Sequence, residues 1–320
     1  MSHNLYINNN RASMFYTGEV PWHRLGIHLQ NPATAQEAIE AAQLDFKVQL
    51  KPVKTVINRK QKIVPNTFAT VRMDTKEVLG VVGSRYEPIQ NKDAFAFFDA
   101  LVDSDEAIYH TAGVLGKGER IWVLAKLPSY IRVGKNDIVE KFLLLVNSHD
   151  GSQVLRAKIT PIRVICANTL SIALQGGEQE VRIRHTPNAV HKLAEAHKLL
   201  GLSNHLYMQL DSIFNKMALR KVTDKQLKEY LQALVPSNPD AKFQTRNENI
   251  REAILELHEA GQGAEMSRGT LWGAYNAATE FSDHVQHGRD TSKQLKSIWF
   301  GSGERLKLRA FALAQKILMN

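Results

Sequence analysis

Apolar positions recur at every second residue through most of the chain before Thr186 and at helical spacing after Pro187, so a strand-rich part precedes a helix-rich part. Phe46, Val48 and Leu50 alternate with Lys47, Gln49 and Lys51, and residues 53–57 continue that strand past Pro52. Strands over 67–73 and 78–82 flank Asp74, Thr75, Lys76 and Glu77, a polar connection of hairpin length. Two more, over 112–115 and 120–127, flank the turn 116–119. Two helices interrupt the strands. Thr34, three residues before Glu37, caps one that ends near Gln43, and Asn91 caps another that runs to Val102 with Ala94, Phe95 and Phe98 on one face.

The densest meeting of strand pattern, turn chemistry and charge lies at 147–170. Asp150-Gly151 sits at the centre of a polar turn between strands over 142–146 and 154–159, which makes a hairpin. In its second arm Arg156, Lys158 and Thr160 fall on one face and Leu155, Ala157 and Ile159 on the other. Pro161 interrupts the ladder, and Arg163, Cys166 and Asn168 follow in a strand that runs on toward Leu174. A short strand over 181–185 turns Arg182 and Arg184 the same way. Beyond Pro187 one helical stripe joins Val190, Leu193, Ala194 and His197, and another joins Leu206, Leu210, Ile213, Phe214 and Met217. Further helices fit 224–234, 247–260, 270–285 and 304–318. The expectation is therefore an α+β fold: a mostly antiparallel N-terminal sheet with two helices, then an all-α C-terminal half. Its domains are a polar arm at 1–18, an α+β domain at 19–185 and a helical domain at 186–320.

Composition narrows the function classes. The 320 residues carry 41 Lys and Arg against 32 Asp and Glu, a formal charge of +9, which favours an anionic partner such as nucleic acid. The lone Cys166 excludes an intramolecular disulfide and a cysteine-rich zinc site, reads as a small buried hydrophobe, and fits a reducing cytoplasm. No run approaches the ~18 apolar residues of a membrane span, and the N-terminus lacks a signal-peptide core, so no membrane partner is expected.

Few residues declare chemistry. Gly116-Lys117-Gly118 lacks the spacing of a phosphate-binding loop and reads as a turn. Ser302 and Gly303 open a helix bearing Arg305 and Arg309, a candidate anion site where backbone N–H groups meet cations, with a plain cap as the alternative. His149-Asp150 resembles a metal-binding pair, but the turn explains Asp150, and His284 with His287 lacks a third ligand. No nucleophile elbow, zinc-protease helix or Cys–His arrangement is present, so no catalytic residue, metal or cofactor is assigned. The remaining candidate surface is cationic: Arg156, Lys158, Arg163, Arg182 and Arg184 as a phosphate groove, with Tyr86 and Trp122 either as platforms on which bases stack or as core residues, the latter the better fit for Trp122.

Three ordered segments carry a family resemblance: Pro21-Trp22-His23-Arg24-Leu25-Gly26, the run from Asn147-Ser148-His149-Asp150-Gly151-Ser152 through Thr160-Pro161-Ile162-Arg163 to Asn168-Thr169-Leu170, and Gly269-Thr270-Leu271-Trp272-Gly273-Ala274-Tyr275-Asn276-Ala277 with Thr279-Glu280. Together they resemble the phage/plasmid-like protein family, a domain of unknown function, with Ala167 where that family more usually has Asn. The resemblance implies a mobile-element origin and a bacterial cytoplasm, and brings no activity or catalytic residues. In outline the order of sheet and helices is similar to phage single-strand annealing proteins, an analogy of fold alone. The expectation is a non-enzymatic, sequence-tolerant nucleic-acid-binding protein that favours single-stranded DNA and forms an oligomer. The alternatives are a module that binds a host defence or replication protein, and a metal-dependent nuclease at His149 and Asp150.

Overall fold

The computed structural model describes residues 5–8, 11–18, 25–102, 107–163, 168–169, 180–189, 191, 198–286 and 294–319. The whole stripe of Val190, Leu193, Ala194 and His197 lies outside the described residues, as do Cys166, Trp22 and His287. The chain forms two compact units, each assembled from separated segments: Met1–Pro128, Phe142–Ile159 and Glu180–Leu202 in one, and Ser129–Lys141, Thr160–Gln179 and Ser203–Asn320 in the other.

The first unit begins with three short strands, β1 (Ile7–Asn8), β2 (Arg11–Ala12) and β3 (Met14–Thr17). This stretch was expected to be a polar arm. Instead Met14, Phe15 and Tyr16 are buried, because β3 pairs antiparallel with β8 (Ile108–Leu115) and parallel with β4 (Ile27–Leu29). Helix α1 (Ala35–Ala41) follows with the expected cap: the Thr34 hydroxyl accepts from the Glu37 amide while the Glu37 carboxylate accepts from the Thr34 amide. Next come β5 (Val48–Ile57), β6 (Lys60–Arg72) and β7 (Val78–Gly83), a separate three-stranded antiparallel sheet in the order β5-β6-β7. Helix α2 (Asn91–Val102) lays Phe95 and Phe98 against Tyr109, whose hydroxyl donates to the Phe95 carbonyl at 3.0 Å and to Asp99 at 2.6 Å.

Asn91 is not the cap of α2. Its amide turns inward to the Leu44 carbonyl at 3.0 Å, and the Asp93 carboxylate accepts from the Gln90 amide at 3.1 Å. The larger sheet of this unit continues through β9 (Arg120–Val133), β10 (Asp137–Ser148), β11 (Leu155–Ile159) and β14 (Glu180–Ile183), whose order across the sheet is β14-β11-β10-β9-β8-β3-β4. Gly113 on β8 has no room for a side chain, since a Cβ there would run into the Trp122 ring and the Ser13 carbonyl. That close approach buries Trp122 in the core.

The second unit is not all helix. It takes in Ser129–Lys141, and its β12 (Ile162–Arg163) pairs with Val139 and Glu140 and with β13 (Asn168–Thr169). The single strand expected from Arg163 toward Leu174 is thus a small antiparallel pair with Arg163 opposite Asn168. Its helices are α3 (Lys198–Leu219), which starts within the first unit, then α4 (Asp224–Leu234), α5 (Ala241–Ala260), α6 (Ala264–Ser267), α7 (Leu271–Glu280), a π-helical turn Phe281–Val285, α8 (Gln294–Phe300) and α9 (Ser302–Met319). All ten residues of α7 are buried. Trp272 donates its indole N–H to Asp137 at 2.8 Å, and the π turn places Asp283 2.7 Å from the buried Lys307 ammonium.

Candidate functional site

The hairpin between β10 and β11 forms as the Asp150-Gly151 turn dictates, with Gly151 at φ +74°. Its cations, however, are largely spoken for. On the neighbouring strand β14, Arg182 stands directly opposite Arg156 and Glu180 opposite Lys158. The Glu180 carboxylate then binds both guanidiniums: Arg156 through Nε and, at 2.9 Å, Nη2, and Arg182 Nε at 3.0 Å. Burial pushes the Glu180 carboxyl up, but Arg156 and Arg182 outweigh it and hold the group below its ordinary range. Lys158 is half-buried on the same face and Arg184 is exposed just beyond the strand. Arg163 lies on β12 in the second unit.

The aromatic platforms are also occupied. Trp122 is core, and the Tyr86 ring stacks on His185 with centroids 4.7 Å apart while its hydroxyl donates to the Ser148 carbonyl at 3.1 Å. Burial, with Asp150 nearby, raises the Tyr86 phenol far above its usual value. His149 is fully buried, its Nε2 2.8 Å from the Asn91 Oδ1, and burial together with His185 lowers its pKa to about 3. Asp150 is held inside its turn by Ser148, by the Ser152 amide at 2.8 Å and by Arg120 at 3.3 Å. Among the described residues no group of three or more His, Cys, Asp or Glu is placed to hold a metal ion. None of their helices is long and apolar enough to cross a membrane.

At the start of α9 the Gly303 amide donates to the Ser297 hydroxyl at 3.0 Å, and the Ser302 hydroxyl sits 3.1 Å from the same group. Arg309 donates to the Leu234 carbonyl at 3.1 Å, and Arg305 is exposed. The Gly303 amide and Arg309 therefore serve to join α8, α9 and the end of α4, while Arg305 faces solvent.

A denser cluster of unpaired positive charge lies elsewhere. Phe46 through Met73 contains Lys47, Lys51, Lys54, Arg59, Lys60, Lys62 and Arg72 and no carboxylate. Only Arg72 is buried, clamped by Asp74 at 2.8 and 2.9 Å, by the Lys117 carbonyl at 3.0 Å and between the Tyr6 and Phe46 rings. The other six are exposed, and among the described residues none of them has a carboxylate partner. Four of them, Lys54, Arg59, Lys60 and Lys62, stand on a two-stranded ribbon that begins where β5 and β6 leave β7, and Lys51 lies on β5 just before it, opposite Ala69. From Lys54 to Ile63 all the residues are exposed on both faces, so the ribbon is solvated all round.

Local chemistry explains the ribbon. Ile57 pairs with Lys60 across a two-residue loop, Asn58-Arg59, with φ of +50° and +61°, the tight turn whose twist matches antiparallel strands. At its base the register slips: Val53 stands against Val64, Pro65, Asn66 and Thr67, with Asn66 at φ +54°. Such a bulge bends the ribbon away from the sheet. Paired residues share a face, so Lys54, Val56, Gln61 and Ile63 lie on one side and Thr55, Ile57, Lys60 and Lys62 on the other. Alternation over 53–57 predicts an ordinary strand and gives no sign that the element is solvated on both faces. Its signal was the run of 28 residues without an acid.

A family model described as a domain of unknown function (DUF932) matches residues 78–299. No curated protein and no solved structure is significantly similar to the chain.

Proposed function

Because the chain belongs to the DUF932 family, whose description assigns no activity, we propose its function from geometry: a sequence-tolerant nucleic-acid-binding protein that meets its ligand through the β5–β6 ribbon. One observation carries this reading. Lys54, Arg59, Lys60 and Lys62 project from an element that contributes nothing to a core and has no carboxylate on it. A solvated ribbon that served only the fold would gain from mixed charges, which blunt the repulsion among four cations. Unbalanced charge of one sign on an extended element is the electrostatic footprint of a polyanion site. The ribbon holds no candidate base reader with buried, fixed geometry, so the reading is of backbone contact rather than base sequence. A phage or plasmid setting, which the resemblance implies, would supply such a ligand.

Of the grounds for a single-strand preference, the stacking platforms are weakened by the burial of Trp122 and the pairing of Tyr86 with His185, which leaves the outline likeness to single-strand annealing proteins. The nuclease reading loses His149 and Asp150 to their structural partners.

The test is a salt titration of binding by fluorescence anisotropy. Changing Lys54, Arg59, Lys60 and Lys62 to Gln should lower the slope of log K against log salt by about 3 to 4 units on duplex, or about 2 to 3 on single strands, if every cation meets a phosphate. Arg182→Gln with Arg184→Gln should leave the slope near that of the parent. A ribbon variant that binds with an unchanged slope refutes the proposal.

A further inference from the structure

We propose that the ligand is duplex DNA, and that the ribbon seats in one of its grooves and bends it by wedging apolar side chains between base steps. This rests on the functional reading above and narrows it. The distribution of charge is the first argument. Lys54 lies on one face of the ribbon, Lys60 and Lys62 lie on the other, and Arg59 stands at the tip. A single strand lying along one face would leave the cations of the opposite face unmatched. A duplex groove has phosphate walls on both sides of whatever is inserted, so both faces are matched at once.

Size agrees with this. Two strands about 4.8 Å apart, with their side chains, make a ribbon that the major groove, about 12 Å across, admits as it stands and that the minor groove admits once it is widened by deformation of the duplex. From Lys54 to Ile57 it extends about 10 Å at ordinary strand rise, enough for its tip to reach the floor of a groove about 8 Å deep.

The third argument is side-chain type. Residues 51–67 contain no Phe, Tyr, Trp or His, so the ribbon has no platform on which unpaired bases stack. What it offers instead is aliphatic: Val56 is 67% exposed, Ile57 47% and Ile63 63%, around the tip and on both faces. Proteins that bend duplex DNA from the minor groove insert such side chains between base steps, where partial unstacking kinks the helix by roughly 20–90° toward the major groove. Asn58, Arg59 and Gln61 beside them supply the polar groups that line a groove.

A duplex of about 30 base pairs with a donor and an acceptor dye at its ends reads binding by anisotropy and bending by energy transfer on the same sample. The parent protein should bind this duplex more tightly than either single strand and should raise the transfer efficiency. The triple variant Val56→Ser, Ile57→Ser, Ile63→Ser should bind with the parental salt slope but lose the rise in transfer. All three side chains are solvent-exposed, and a circular dichroism spectrum matching that of the parent confirms that the comparison is between folded proteins. Tighter binding to single strands, binding without a change in transfer, or full bending by the triple variant would each overturn this inference while leaving the ribbon as the binding element. Binding to neither substrate at low salt would remove the functional reading itself.

Discussion

Glu180→Gln tests whether the cations of β11 and β14 belong to the fold or to a ligand. The Glu180 side chain is only 16% exposed, as is that of Arg156, whereas Arg182 is 69% exposed. The two bonds from Arg156 are charge-assisted and shielded, a class that contributes about 1.5–3 kcal/mol. The bond from the exposed Arg182 is screened by water and adds less than about 1 kcal/mol. The substitution should therefore cost about 2 kcal/mol at neutral pH, read as a lower urea midpoint. The pH dependence has a definite sign. With its folded pKa held below the ordinary 4.5, the Glu180 carboxylate stabilises the protein above that value, and the contribution disappears as pH falls through the lowered one. The gap between parent and variant should thus close on acidification from pH 5 downward. Equal midpoints at neutral pH would refute the structural role. A large gain in DNA affinity on removing this carboxylate would do so as well, by showing that Arg156 and Arg182 were a masked phosphate site.

Two other perturbations address the cores. Lys307→Met leaves Asp283 buried without its ammonium and should cost about 3–5 kcal/mol, while adding Asp283→Asn should recover part of that loss in the same urea titration. His149 is held neutral, with its pKa near 3 in the fold against 6.5 when free, so the unfolded chain takes up a proton that the native state refuses. Stability should therefore fall as pH drops from 6.5 toward 4, and His149→Gln should flatten that decline. A variant with the parental pH profile would show that the buried imidazole is not its source.

Features set by neighbouring residues were legible in the sequence. The Thr34–Glu37 cap needs only a three-residue spacing, and the Asp150-Gly151 turn needs only its own backbone preference, so both stand as read. The alternation along β11 was also correct, with Leu155, Ala157 and Ile159 buried. What a single strand could not reveal was Glu180, 24 residues from Arg156 and brought beside it only by β-pairing. Asn91 failed for a related reason: its side chain bonds to Leu44 and lies beside His149, both distant in sequence, and these outweigh the local preference for a cap. Phe15 was hidden in a polar stretch whose burial depends on β8. The ribbon was overlooked because alternation signals a buried face, and an element solvated on both sides has none. Charge sign was the only readable trace of it, and that trace emerges from the acid-free run rather than from the overall +9.

The most direct measurement of where nucleic acid touches the protein is site-specific photocrosslinking. A photoreactive residue placed in turn at Thr55, Gln61, Lys158 and Arg184 would be irradiated in the presence of labelled DNA at low salt. The account predicts covalent capture from Thr55 and Gln61, on opposite faces of the ribbon, and none from Lys158 or Arg184. Capture from the β11 and β14 positions with none from the ribbon would contradict it.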